Sequence, residues 1–165
     1  MFGGLALILL MIGKGAKASG SYTNILQTFI PEWEGFRANP YWDVSRYSWG
    51  YGTKAPGPTG TITRDQAMQE LIDHVQKDYE YLSQLIQTPL TANQWAAYLS
   101  FSYNVGQGNA DNLIGYTNVQ DLMGNINARK FTSLEDQWKS YIYVDGQRSD
   151  NLVKRRAAEW ELWSS

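Results

Sequence analysis

The chain contains no cysteine, which excludes disulfides, thiolate nucleophiles, cysteine-held zinc and iron–sulfur clusters. It contains one histidine, His74. A Ser/His/Asp triad would have to use it, and a histidine metal site could draw on a single imidazole. His74 lies in a charged helical stretch beside Asp73, Lys77 and Asp78, where a solvated side chain is expected. No excess of either charge exists. The net charge is −2 and the pI about 5.4, so nothing drives nucleic-acid binding. No metal or organic cofactor is implied. The cations that cluster, Arg148 and Lys154 to Arg156, suit a helix decorated with charge. What is present is 165 residues, 43% hydrophobic and 18% charged. That is enough for one domain with a core of its own, plus a short appendage. The lack of disulfides leaves the compartment open.

The one long apolar run is at the start. Met1 to Gly13 reads MFGGLALILLMIG, without a charge, and Lys14 and Lys17 follow. As a helix these residues would span roughly 20 Å, short of a hydrocarbon core of about 30 Å. With the lysines snorkelling, an extension to Ser19 could just cross. No cation precedes the run, so an ordinary cleaved leader fits poorly. Three readings stand: a membrane anchor, an arm packed on the domain or a partner, and a cleaved or released leader. Gly15 to Ser21 reads as a linker. Residues 1–20 are therefore set apart from a domain over 21–165.

Within the domain, Ile25, Leu26, Phe29, Ile30, Trp33 and Phe36 recur at helical spacing. Ser21 or Thr23 can cap this helix, and Pro31 predicts a kink or two abutting helices. From Ala38 to Thr53 the strand formers Tyr41, Trp42, Tyr47, Trp49 and Tyr51 alternate with turn residues, which predicts a small antiparallel sheet. Lys54 to Gly60 is a loop. Thr63-Arg-Asp-Gln66 and Thr91-Ala-Asn-Gln94 are capping boxes. The first opens a helix over 64–86. The second opens a very apolar helix ending near Asn104-Val-Gly106, the expected centre of a larger lobe. Further helices are expected over 119–126, 134–143 and 152–163. Trp95 and Trp160 are assigned to the core, and Trp42 and Tyr51 are left between core and cleft. The class is α+β, a small sheet lobe and a larger helical lobe with a cleft between them suited to an extended ligand.

Two carboxylates stand at the junction of helix and sheet. Glu34 ends the apolar helix between Trp33 and Phe36, and Asp43 follows nine positions later in the sheet. Glycosidic cleavage uses such a pair, an acid for the leaving oxygen and a second carboxylate for water or the sugar carbon. Apolar neighbours would hold Glu34 protonated. Glu32 is the rival acid, about 200° away around the helix, and periodicity does not choose between the two.

The runs Glu34-Gly-Phe-Arg37, Tyr41-Trp-Asp43 and Ser48-Trp-Gly-Tyr-Gly52 resemble the phage-type lysozymes, glycoside hydrolase family 24. Ile62-Thr63 with Gln66-Ala67, Leu90-Thr91 with Gln94, Phe101-Ser-Tyr-Asn-Val-Gly106, and Leu152-Val-Lys-Arg-Arg156 with Glu159 and Leu162 match in the same order. The resemblance covers about residues 24 to 163. It implies a lysozyme-like fold. It also implies a muramidase cutting the β-1,4 bond between N-acetylmuramic acid and N-acetylglucosamine in bacterial peptidoglycan, for host lysis or virion-borne wall penetration. Glu34 takes the place of the general acid and Asp43 that of the second carboxylate. Ser48 stands where the family usually has a catalytic threonine, with one residue fewer between it and the aspartate. A hydroxyl there would hold the attacking water. Thr53 replaces the histidine that commonly follows this Gly-x-Gly. Tyr51, Asn104 and Gly106 are expected to meet substrate, together with Arg155 and Arg156, one of which resembles the arginine beside the acid.

The expected partner is peptidoglycan, with a membrane contact through residues 1–20 and a monomeric catalytic domain. The expected place is the host membrane and periplasm, or the virion. Two rivals use the same residues differently: a non-catalytic glycan-binding or structural virion protein, and a lytic transglycosylase. Retention of Asp43 argues against the second rival.

Overall fold

A computed structural model of the chain describes residues 9–43, 45–106 and 122–165, with side chains described from Tyr22 onward. The first eight residues of the apolar head lie outside it, as do positions 119–121 of the helix expected over 119–126.

Helix α1 runs Leu9–Glu34. It passes through Gly15–Ser21, the stretch expected to be a linker, and through Pro31 without ending there. Alanine and lysine favour helix, and an interior glycine costs only about 1 kcal/mol. Pro31 forgoes one backbone bond, and the Gly35 N–H closes the last turn on the Pro31 carbonyl at 3.1 Å. Tyr22, Leu26 and Ile30 are fully buried, a stripe spaced by four. The rival acids separate on this helix: Glu32 is exposed, while Glu34 is half-buried.

A three-stranded antiparallel sheet follows in the order β1 (Arg37–Asp43), β2 (Arg46–Gly50), β3 (Thr53–Lys54). Tyr41 pairs with Ser48 and Asp43 with Arg46. The register shifts between Arg37 and Tyr41, where Pro40 has no N–H to give the ladder. Helices α2 (Arg64–Leu85) and α3 (Ala92–Val105) both start from the expected boxes, with Thr63 and Gln66, and Thr91 and Gln94, exchanging side-chain and backbone bonds. Every residue from Trp95 to Ser102 is buried, and α1, α2 and α6 surround α3. A helical stretch over 122–127 (α4) contributes Leu122 and Ile126 to the same core.

The helix expected over 134–143 is corrected. Helix α5 is Phe131–Lys139, and a hairpin follows it, β4 (Tyr143–Val144) paired with β5 (Gln147–Arg148). Asp145 and Gly146 turn the hairpin at φ 49° and 75°, the left-handed pair that a two-residue Asp-Gly turn supplies. Helix α6 spans Asp150–Ser164, capped by the Ser149 side chain accepting from the Leu152 N–H. Trp95 is buried as expected. Trp160 is half-buried and packs on the core beside Trp138 and Trp163.

Gly50 fixes how the sheet meets α2. Its φ is +58°, and a Cβ there would stand 2.8 Å from the Ala67 Cβ. Gly50→Ala is expected to cost about 2–3 kcal/mol from backbone strain and overlap together. Gly57, with open space around it, should tolerate alanine within about 0.5 kcal/mol. Urea unfolding of the two variants checks the contrast.

Candidate active site

The ends of α1 and α3 and the near edge of the sheet enclose a cavity of about 320 Å³. Glu34 enters it from the end of α1, Tyr41 and Asp43 from β1, and Arg46 from β2. Gly52 enters from the turn after β2, and Tyr103 and Asn104 from the end of α3. The pairing of a helix-borne glutamate with a strand-borne aspartate is thus realised in space.

Glu34 is anchored by a cation. Arg155 Nη1 donates to its Oε1 at 2.6 Å, and the glutamate side chain is 22% exposed. On its other side Glu34 meets the Gly52 turn. A Cβ on Gly52 would lie 3.5 Å from Glu34 Oε2 and 3.9 Å from the Tyr103 hydroxyl. Glycine at φ +91° therefore lets the turn pass close to the carboxyl. The apolar pocket expected from Trp33 and Phe36 is replaced by a guanidinium, a glycine turn and a phenol. Helix geometry explains the difference, because adjacent residues point to different faces.

Asp43 receives the Ser48 hydroxyl, whose Oγ donates to Oδ2 at 3.3 Å. Ser48 is fully buried and does not line the cavity. The hydroxyl expected beside the attacking water thus meets the aspartate. The Tyr41 phenol is pushed up, chiefly by burial and next by the charge of Asp43.

Tyr103 ties the helical lobe to the sheet. Its hydroxyl donates to the Tyr51 carbonyl at 2.7 Å, and its ring meets His74 edge-on at 4.9 Å. His74 Nε2 lies 3.7 Å from Asp78 Oδ1, and Asp78 also accepts from Ser102 Oγ at 3.0 Å. His74 is therefore exposed but engaged, not simply solvated. Burial pushes the Asp78 carboxyl up. Burial, then the nearby Glu34 charge, pushes the Tyr103 phenol up as well.

Of the other residues expected at the cleft, Asn104 lines it and accepts from Arg156 Nη2 at 2.8 Å. Gly106 caps α3 at φ 82°, its N–H bonded to the Ser102 carbonyl, and does not line the cavity. Tyr51 is corrected: its ring is buried against Phe36, and its contribution is the carbonyl held by Tyr103. A turn side chain packed into the core cannot also face the cleft. Trp42 is 62% exposed, packs edge-on against Tyr47, and does not line the cavity. Arg156 is buried one step behind the cavity. Burial lowers its pKa to about 10, so it stays charged at neutral pH.

The residues sequence reasoning missed are Arg46, Tyr103 as a tether, and Glu159. Glu159 is fully buried. Its Oε1 accepts from Ser100 Oγ at 2.8 Å, and from Arg155 Nε and Arg156 Nη2 at 3.1 Å each. Its Oε2 accepts from Trp138 Nε1 at 3.1 Å and stands 2.9 Å from Arg156 Nε. Its i+4 and i+3 spacing from the two arginines was the available signal. Arg46 had none. Among the described residues, no group of three or more metal-ligating side chains converges.

A small sheet lobe and a helical lobe built around one buried helix, with two carboxylates between them, define a lysozyme-like α+β protein. The muramidase domain of SpmX from Asticaccaulis excentricus superposes with a TM-score of 0.73 at 25% identity, covering 86% of this chain and 95% of that one. The endolysin of Acyrthosiphon pisum secondary endosymbiont phage 1 is 32% identical over 142 residues, 82% of this chain and 92% of that protein. The endolysin of Bacillus phage B103 is 29% identical over 139 residues, 81% of this chain. The chain spans about half the length of the B103 protein, the matched region being 50% of it. The Phage lysozyme family profile matches residues 31–159, and the chain belongs to that family.

Tyr103→Phe should remove the tether between the lobes. The expected loss is about 1 kcal/mol, the worth of one hydrogen bond to a partly buried carbonyl. Faster amide exchange should follow at Gly52, whose N–H closes the turn on the Trp49 carbonyl at 2.9 Å. Hydrogen exchange read residue by residue checks this, and unchanged exchange at Gly52 would show that the turn holds without Tyr103.

Proposed function

We propose that the chain is a peptidoglycan muramidase, hydrolysing the β-1,4 bond between N-acetylmuramic acid and N-acetylglucosamine. One observation carries the reading: Glu34 and Asp43 open onto a single cavity from opposite elements, and each is held by a donor behind it. In this reading Glu34 gives its proton to the glycosidic oxygen as the bond breaks. Asp43 takes a proton from water attacking the sugar carbon, with inversion. Ser48 acts through Asp43, fixing the carboxylate that faces the water. Asn104, backed by Arg156, and Tyr41 supply polar contacts to the sugar, and Arg155 holds Glu34 in place. Membership of the phage lysozyme family and the relatives named endolysin support the substrate and a role in cell lysis at the bacterial wall.

The apolar head supports a finer reading, tethering to a membrane, which would raise local concentration where an acidic protein lacks attraction to an anionic wall. Among the described residues no helix is long and apolar enough to cross a membrane. Deleting residues 1–20 is expected to abolish sedimentation with membranes. Unchanged sedimentation would end this part of the reading.

The decisive assay follows turbidity and reducing ends on purified peptidoglycan for the wild type, Glu34→Gln and Asp43→Asn. The wild type should release hydrolytic reducing ends. Glu34→Gln, folded, should lose at least about 10²-fold in rate, and Asp43→Asn should fall strongly as well. Binding to wall material without release would give the place to a non-catalytic glycan-binding protein. Anhydro ends would give it to a lytic transglycosylase.

A further inference from the structure

A general acid must pass between its charged and neutral forms, yet Glu34 is bonded to a buried guanidinium. When Glu34 is neutral, Arg155 must be satisfied elsewhere, because an unpaired buried charge is costly. The structure provides the place. Arg155 Nε donates to Glu159 Oε1 at 3.1 Å, and its Nη2 lies 3.4 Å from the Ser100 carbonyl. Glu159 is itself fixed by the Ser100 hydroxyl and the Trp138 indole. The same carboxylate holds Arg156, whose guanidinium also lies over the Phe101 ring at 4.6 Å.

We infer that Glu159 is a positioning residue for the glycan-cutting reaction. It holds Arg155 from the edge opposite Glu34, so Glu34 can take up and release the catalytic proton without stranding a cation. The inference rests on the muramidase reading above. Charge balance is its physical content. Behind Glu34 stand Arg155 and Arg156 with two positive charges and Glu159 with one negative. The other titratable or charged groups around the cavity are Tyr103 from α3, Tyr41 and Asp43 from β1, and Arg46 from β2. All of these are unchanged in the variants below.

The sign follows directly. Activity needs protonated Glu34 and is lost as pH rises, so Glu34 sets the basic limb of the pH–activity profile. Glu159→Gln removes a negative charge from behind Arg155 and favours ionised Glu34. The basic limb should move to lower pH by about one unit. Arg156→Met removes a positive charge, and the limb should move to higher pH. The double variant restores the balance, and its limb should return close to that of the wild type.

The test is a pH profile of reducing-end release from peptidoglycan for the wild type, both single variants and the double variant, each with its thermal transition recorded. A purely structural Glu159 would change the amount of folded enzyme and scale the rate alike at every pH. Folded variants with basic limbs coincident with the wild type would overturn the inference. If Glu159→Gln does not fold, Arg156→Met carries the test, since it leaves Glu159 bonded to Arg155, Ser100 and Trp138. No release by the wild type at any pH would overturn the muramidase reading and this inference with it. A working wild type with unmoved limbs overturns the role of Glu159 alone.

Discussion

Four side chains, Glu34, Arg155, Glu159 and Arg156, run in series from the floor of the cleft into the core of the helical lobe. Isolated charges could not sit there, since desolvation costs several kcal/mol for each ion. Two carboxyls alternating with two guanidiniums can, because each is bonded to its neighbour. The series also spans the chain. Glu34 ends α1, the two arginines and Glu159 are on α6, and Ser100 is on the buried helix between them. The two inner members each have two partners, so removing Glu159 would leave Arg156 without its carboxylate and removing Arg155 would leave Glu34 without its guanidinium. The series therefore fixes how the first and last helices meet, and with them the position of Glu34.

The price of that arrangement is visible in the surrounding packing. Helix α3 brings Ser100 to the Glu159 carboxylate and Ser102 to Asp78, two hydroxyls among its buried residues. Trp138 turns its indole N–H to Glu159 while its ring packs among Phe101, Trp160 and Trp163. The aromatic richness of the sequence thus serves the core more than sugar stacking. Wide rings carry the apolar burial, and their few polar atoms satisfy charge.

Much of this was legible in the sequence. The capping boxes placed the starts of α2 and α3, and the aromatic alternation placed the sheet. The junction of helix and strand placed both carboxylates. Periodicity did not choose between Glu34 and Glu32, because two residues about 200° apart differ only in what packs against each face; the family resemblance chose Glu34, which lines the cavity, while Glu32 is exposed. The hairpin after α5 carried a signal in Asp145-Gly146, but the apolar residues Trp138, Tyr141 and Tyr143 read as one continuing helix. Period alone separates such short runs poorly. Tyr51 was left between core and cleft because its neighbours in sequence do not say which way a turn side chain faces; its burial comes from Phe36 and the helices beneath it. Glu159 matched the family pattern and stands at helical spacing from two of its donors, Arg155 and Arg156, yet the other two, Ser100 and Trp138, lie 59 and 21 positions away, a long-range fact that no local pattern expresses.

The two lobes meet at Glu34 through contacts of different kinds. On the helical side Glu34 is held by charge. On the sheet side it is met by the bare backbone of the Gly52 turn, kept in place by a neutral hydrogen bond from Tyr103. A charge-assisted bond is about twice as strong as a neutral one, so Glu34 belongs energetically to the helical lobe. The sheet is fastened elsewhere, by the Glu70 carboxylate of α2, which accepts from Trp49 Nε1 at 3.0 Å and from Thr53 Oγ1 at 2.6 Å. The ionic series behind Glu34 therefore stands independently of the hydrogen bonds that hold the sheet.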